Sequence, residues 1–255
     1  MTDRVTMEVA RGLEGLAPSS APLFVVVGVF DGLHLGHAYL LEHLVREAAT
    51  RDARPTVITF DHHPDEILTG SAPPLLCDPD ERVARLADAG VDATVVVHFD
   101  TRLRETPYDA FVAQVTDRAP LAGFLMTPDA AFGYQRGGTP AALAALGAER
   151  GFEVVVIPPF ELQGRPVRST DVRAAIAAGD LATATRLLGR PHAVVGDATP
   201  DGEGSVVGFE LPVALPPGGD YAALVEGEAE TVTVRDGKVW LGGWRSGRTR
   251  IAFAS

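Results

Sequence analysis

The chain has 255 residues with 46% hydrophobic content, enough for one large packed domain or two smaller ones. A formal net charge of −12 argues against a general nucleic-acid binder, so anionic substrates would need a local positive site and a divalent cation. Cys77 is the only cysteine, which excludes an internal disulfide and a cysteine zinc cluster. No segment is long and apolar enough to span a bilayer, and residues 1–22 do not read as a signal peptide, so a cytoplasmic location is expected.

Residues 1–22 read as an extension ahead of the first domain. Strand-like and helix-like segments then alternate. Leu23–Val29 is a buried apolar run, and Ala38–Ala49 places Leu40, Leu41, Leu44 and Val45 at helical spacing. Thr56–Phe60 is the next strand. Asp78–Ala89 reads as a helix opened by Asp78-Pro79 and closed by Gly90. Ala93–Phe99, Gly123–Met126 and Glu153–Ile157 read as strands, Tyr108–Val115 and Pro140–Arg150 as helices. Such alternation predicts an α/β fold, a parallel sheet covered on both faces by helices, with ligands at the C-terminal ends of the strands. Ser169–Ala178 and Leu181–Leu188 form a helical pair. After Pro191, short strands between Gly, Pro and Asp turns (193–195, 205–209, 213–215, 222–225, 231–234, 239–241 and 249–252) predict a small antiparallel β-barrel or sandwich.

The most informative stretch is Gly28-Val29-Phe30-Asp31-Gly32-Leu33-His34-Leu35-Gly36-His37. A strand enters a glycine-rich turn and a helix leaves it. Such a turn aims backbone N–H groups and a helix N-terminus at an anion, and its glycines permit φ > 0 and close approach of a phosphate. His34 and His37, three residues apart, can reach one bound group, which suits nucleotidyl transfer. Asp31 either orients the turn or holds a metal-bound water.

The H-x-G-H pattern behind G-x-F-D-G resembles the FMN adenylyltransferase module of bacterial FAD synthetases, whose full-length members also carry a riboflavin kinase domain. Three further segments carry the resemblance. Thr59-Phe60-Asp61-His62-His63-Pro64 looks like the family's T-F-[DE]-P-H-P, with His62 in place of the first proline; Phe60, His63 and Pro64 are thereby expected at the flavin-phosphate pocket. The stretch Asp129 to Gly138 resembles G-x-D-F-x-F-G-x-x-R-x-G, with Thr127 for the first glycine and Ala130 for the first phenylalanine. It places Asp129, Phe132 and Gly133 beside the nucleotide and flavin, and Ala130 is expected to enlarge that pocket or pack it less well. Arg168-Ser169-Thr170-Asp171-Val172-Arg173 resembles S-S-T-R-I-R at the start of a helix. Ser169 and Thr170 would offer hydroxyls and Arg173 a bidentate guanidinium to a triphosphate, and Arg168 would replace the cation lost at Asp171.

Gly189-Arg190-Pro191-His192 resembles the L-G-R-P-Y junction between the family's two modules. Where the kinase carries G-F-P-T-A-N, this chain reads Gly208-Phe209-Glu210-Leu211-Pro212-Val213, without the metal-associated threonine and asparagine. The resemblance implies a Rossmann-like nucleotidyltransferase domain over 23–190 and a shortened barrel without its kinase site over 191–255. It implies transfer of AMP from ATP to FMN, giving FAD and pyrophosphate, with Mg²⁺ bridging phosphates. His34, His37 and Arg173 would be catalytic, and Gly28, Phe30, Asp31, Gly32 and Gly36 would shape the nucleotide site. No protein side chain is expected to ligate a metal, and the partners expected are small molecules, with no nucleic acid and no membrane. The alternatives are another phosphorylated acceptor, CTP in place of ATP, or a flavin- or nucleotide-binding regulator without catalysis.

Overall fold

A computed structural model describes residues 6–254. The chain forms two compact units. One comprises the residues up to Phe30, His37–Ala72 and Val83–Phe160; the other comprises Asp31–Gly36, Pro73–Arg82 and the chain from Glu161 onward.

The first unit is built on a six-stranded sheet. Its elements are β1 (Glu8–Arg11), β2 (Leu23–Val27), α1 (Leu35–Ala49), β3 (Arg54–Phe60), α2 (Pro64–Thr69), α3 (Pro79–Asp88), β4 (Ala93–Val97), α4 (Thr101–Arg104), α5 (Tyr108–Thr116), β5 (Leu121–Met126), α6 (Pro140–Arg150) and β6 (Glu153–Val156), with α1 and α3 continuing across the boundary between the units. The strand order is β1-β4-β3-β2-β5-β6 and every pair is parallel. The first four residues of β2 are fully buried, as a central parallel strand covered on both faces requires. Leu23, Val25, Ile58, Val95 and Phe124 form the core with Phe111 and Val112 of α5 and Leu143 of α6. The order reverses between β2 and β5, the switch point at which ligands enter such sheets.

Short elements escape the sequence pattern. Glu8–Arg11, expected in an extension, pairs with β4 as the edge strand. A four-residue edge strand shows one buried side chain, Ala10, so no apolar run announces it. Glu8 holds it in place, accepting from the Ala17 N–H (2.7 Å) and pairing with Arg54 (2.7 Å). The helix α2 occupies the expected loop after His63 and ends at Gly70 in the left-handed region.

The second unit contains the hairpin β7 (Glu161–Leu162) and β8 (Arg165–Pro166), the helices α7 (Ser169–Ala177) and α8 (Leu181–Leu188), and β9 (Ala193–Asp201), β10 (Gly204–Gly208), β11 (Gly219–Val225), β12 (Glu228–Arg235), β13 (Lys238–Leu241) and β14 (Gly247–Phe253). The last six close a barrel in the order β10-β13-β12-β11-β14-β9, with β9 paired to β10. Closure leaves no edge for association. Val232, Val234, Val239, Leu241, Ile251 and Phe253 point inward on alternate positions. Two-residue turns at Glu226-Gly227 (φ 51° and 88°) and Asp236-Gly237 (φ 52° and 70°) match the twist of the strands they join. Residues 213–215 are not a strand. Val213 makes one parallel bridge to Leu75, and Pro212 and Pro216 deny the segment the donors that a ladder needs.

His192 is buried in this unit. Its ring stacks on Phe253, its Nε2 bonds to the Ala214 carbonyl (2.7 Å) and its Nδ1 has no hydrogen-bond partner. Burial, aided by the charge of Arg190, pushes its pKa down from 6.5 to about 4. The unfolded chain binds a proton at this site near pH 6.5 and the folded one near 4, so stability is full above 6.5 and falls as pH drops through this window. The urea midpoint is expected to fall between about pH 6.5 and 4, and to fall less steeply in His192→Tyr; equal slopes in both proteins would show that this ring does not set the acid limit.

Candidate active site

The turn after β2 is held by one buried carboxylate. Asp31, 4% exposed, accepts the Leu76 N–H with both oxygens (3.0 and 3.1 Å) and pairs with Arg173 at 2.5 Å. Arg173 also donates from Nε to the Pro74 carbonyl (2.8 Å). Of the two roles open to Asp31, the structure assigns orientation of the turn. The Arg173 guanidinium, expected on phosphate oxygens, is instead engaged with Asp31 and Pro74, because a buried carboxylate needs a counter-charge more than an exposed ligand site does.

The backbone of the turn is strained. Phe30, Gly32 and Leu33 have φ of 53°, 77° and 41°. A Cβ on Gly32 would lie 2.9 Å from the Leu76 Cβ, so glycine is required there on both counts. The turn's carbonyls are satisfied by Arg190, whose NH2 group donates to Gly32 O (2.5 Å) and whose NH1 group donates to Leu33 O (3.1 Å). Arg190 thus braces the turn; its sequence signal was the G-R-P segment, read only as a junction.

His34 is buried in the second unit. Burial first, then the charges of Arg190 and Arg173, lower its pKa from 6.5 to about 4, so the imidazole is neutral at neutral pH and can donate one N–H. Gly36 serves close approach: a Cβ there would meet the Val167 carbonyl at 2.9 Å. That approach brings the entry to α7 against the turn. Arg168 is the N-cap of α7 with no side-chain capping bond, so neither Ser169 nor Thr170 caps the helix, and both lie in its first turn. Asp171 is exposed.

In the first unit, a cavity of about 570 Å³ opens on the C-terminal edge of the sheet, within the range of small-molecule sites. Gly28, Phe60, His63, Pro64, Phe132 and Gly133 line it as expected; Phe99, Arg104, Phe111 and Tyr134 line it as well, and sequence reasoning did not single them out. Phe99 lies just past the end of β4, the one signal that could have found any of them; Arg104 and Phe111 lie in α4 and α5, and Tyr134 lies well beyond β5. Phe30 is buried with its ring 5.1 Å from that of His37, in the first turn of α1. The His63 Nδ1 accepts the Asp65 N–H (3.2 Å), which caps α2 and leaves the ring proton on Nε2. At Gly133, φ is 76° and a Cβ would lie 2.7 Å from the Tyr108 backbone, so only glycine fits.

Two residues depart from expectation. Asp129 is exposed, accepts from the Thr127 hydroxyl (2.9 Å) and is not on the cavity wall. Ala130 packs against the core, and Ala131 is the residue that faces the cavity. The lost aromatic at 130 therefore bears on core packing more than on the pocket.

Replacing Asp31 with asparagine strands the Arg173 charge, and the expected loss is roughly 3–5 kcal/mol of unfolding free energy at neutral pH, read by urea denaturation. A loss below about 1 kcal/mol would show that the turn holds without this pair.

The profile of the FAD synthetase family matches residues 17–171. The bifunctional riboflavin kinase/FMN adenylyltransferase of Pseudomonas fluorescens is 33% identical, over 74% of this chain and 61% of its own length. That of Escherichia coli K12 is 34% identical, over 80% and 66%. The chain therefore spans 61–66% of the length of these relatives. A macrolide-efflux protein from Streptococcus pneumoniae superposes with a TM-score of 0.81 at 20% identity, covering 97% of this chain and 89% of its own, which shows a shared fold. By the family profile over residues 17–171, this chain belongs to the FAD synthetase family.

Proposed function

We propose that this protein transfers AMP from ATP to FMN, forming FAD and releasing pyrophosphate. The observation that carries this reading is the H-x-G-H turn that follows β2 in the chain, braced by Asp31 and Arg190, together with the aromatic cavity that the first unit forms at the ends of β3, β4 and β5. A flat flavin ring suits walls built from Phe60, Phe99, Phe132 and Tyr134, which give apolar and stacking contact. Family membership supports the same chemistry.

In the reaction, an FMN phosphate oxygen attacks the α-phosphorus of ATP, and the bond from that phosphorus to the β-bridging oxygen breaks. Pyrophosphate takes the electron pair. Such displacement needs positioning and charge stabilisation rather than a covalent intermediate. His34, held neutral by burial, donates an N–H to a phosphate oxygen without bringing a competing proton equilibrium. His37 donates to the charge that develops on the α-phosphate. Ser169, Thr170 and the N-terminal N–H groups of α7 receive the β- and γ-phosphates. His63 offers its Nε2 proton toward the acceptor's phosphate. Mg²⁺, where bound with the triphosphate, would offset its charge. The turn's one carboxylate, Asp31, is committed to Leu76 and Arg173 and does not fit as the ion's ligand.

The barrel is proposed to lack riboflavin kinase activity. The segment Phe209 to Leu215 lines a cavity of about 700 Å³ in which, among the described residues, Glu210 and Arg173 are the charged ones and no lining side chain is a hydroxyl or a carboxamide.

Purified protein with FMN, ATP and Mg²⁺ is expected to yield FAD on chromatography; absence of FAD with active nucleotide and folded protein would refute the reading. His37→Ala is expected to lower kcat by roughly 10²–10³, the loss usual for one transition-state donor, with a smaller effect on ATP affinity. Riboflavin in place of FMN is expected to give no FMN above a blank, and sustained FMN formation through further purification would restore the kinase assignment.

A further inference from the structure

The sequence led to no expectation of metal-ligating side chains. Geometry at the ends of β3 and β4 points elsewhere. These strands are parallel neighbours with Phe60 opposite Val97, so Asp61 and His98 are each the first residue past a paired end. His62 follows at once. We infer that Asp61, His62 and His98 form a binding site for a zinc-class transition-metal ion on the C-terminal edge of the sheet.

The carboxylate is already oriented. Asp61 Oδ1 accepts the N–H groups of His62 (2.7 Å) and Phe99 (3.1 Å), and the Asp61 N–H bonds to Val97 O (3.1 Å). Its two oxygens face two imidazoles, with Oδ2 at 2.7 Å from His98 Nδ1 and Oδ1 at 3.1 Å from His62 Nδ1. One potential ligand atom from each of the three residues lies within 4.8 Å of the others. A tetrahedral ion with bonds of about 2.0–2.1 Å holds its ligand atoms roughly 3.3 Å apart, so modest ring rotations convert the present contacts into coordination. The rings cross edge to face with centroids 5.4 Å apart, and both are exposed, which leaves the outer position open to water.

The donor set selects the metal. Two imidazoles and one carboxylate suit Zn²⁺, Cu²⁺, Ni²⁺ or Fe²⁺, whereas Mg²⁺ prefers oxygen alone. This site is thus distinct from the Mg²⁺ that travels with a nucleotide. It also depends on a departure of this chain, because His62 stands where the related motif has proline. An ion here ties the loop after β3 to the loop after β4, beside Phe60 and Phe99, whose rings pack edge to face at 5.2 Å on the cavity wall.

The test uses the full chain, freed of any affinity tag and of metal, titrated with Zn²⁺ by calorimetry and with Co²⁺ by visible absorption. Uptake of one equivalent with four- or five-coordinate Co²⁺ bands is expected. His62→Gln and His98→Gln, both at exposed positions and both keeping the backbone N–H groups, should keep the metal-free unfolding midpoint and weaken Zn²⁺ binding by about tenfold to a hundredfold or more. Absence of saturable uptake, or wild-type affinity in both variants, would reduce the cluster to ordinary Asp–His hydrogen bonds and overturn the inference.

Discussion

The buried Asp31 carboxylate is the constraint on which the second unit's turn depends. An ionised carboxylate out of water is costly unless charge and hydrogen bonds meet it, and here the Leu76 N–H and the Arg173 guanidinium do so. Each partner is itself tied. Arg173 comes from α7 and also holds Pro74, while Leu75 donates its N–H to the Pro212 carbonyl and accepts the Ala214 N–H. The Ala214 carbonyl then bonds to His192. One charge therefore fixes the turn, the 73–77 segment, α7 and the entry to the barrel in a single network.

The network changes how the site handles anions. In a chain of net charge −12, the cations nearest the H-x-G-H turn are spent internally, Arg173 on Asp31 and Arg190 on the carbonyls of Gly32 and Leu33. Their field nevertheless reaches His34 and helps burial to keep it neutral. The proposed phosphate recognition would then draw on N–H dipoles from imidazole, turn and helix start. Preorganised dipoles suit a transition state because they need not reorganise as charge develops.

Glycine and strain serve the same end. Gly32 admits Leu76, and Gly36 lets the Val167 carbonyl approach, each where a single methyl group would force a shift. Phe30 and Leu33 are held at positive φ although neither is glycine, a cost that the Arg190 and Asp31 bonds offset. In the first unit the same logic appears at Gly133, whose lack of a Cβ lets Tyr108 close against the cavity loop.

By itself the sequence determined the parallel sheet, the order of its main elements, the barrel and the H-x-G-H turn, because apolar periodicity, Gly and Pro punctuation and motif spacing are local signals. It also named part of the cavity wall, Gly28, Phe60, His63, Pro64, Phe132 and Gly133, since residues near strand ends are brought together by any parallel sheet. It did not determine that β1 completes the sheet, that Arg173 faces Asp31, that Arg190 braces the turn, that Ala130 lies on the core side and Ala131 on the cavity side, or that Asp61, His62 and His98 converge. Those outcomes pair residues up to 158 positions apart, or turn on which way a side chain points. They follow from the competition among buried groups for charge, donors and space, and only the tertiary structure decides that competition.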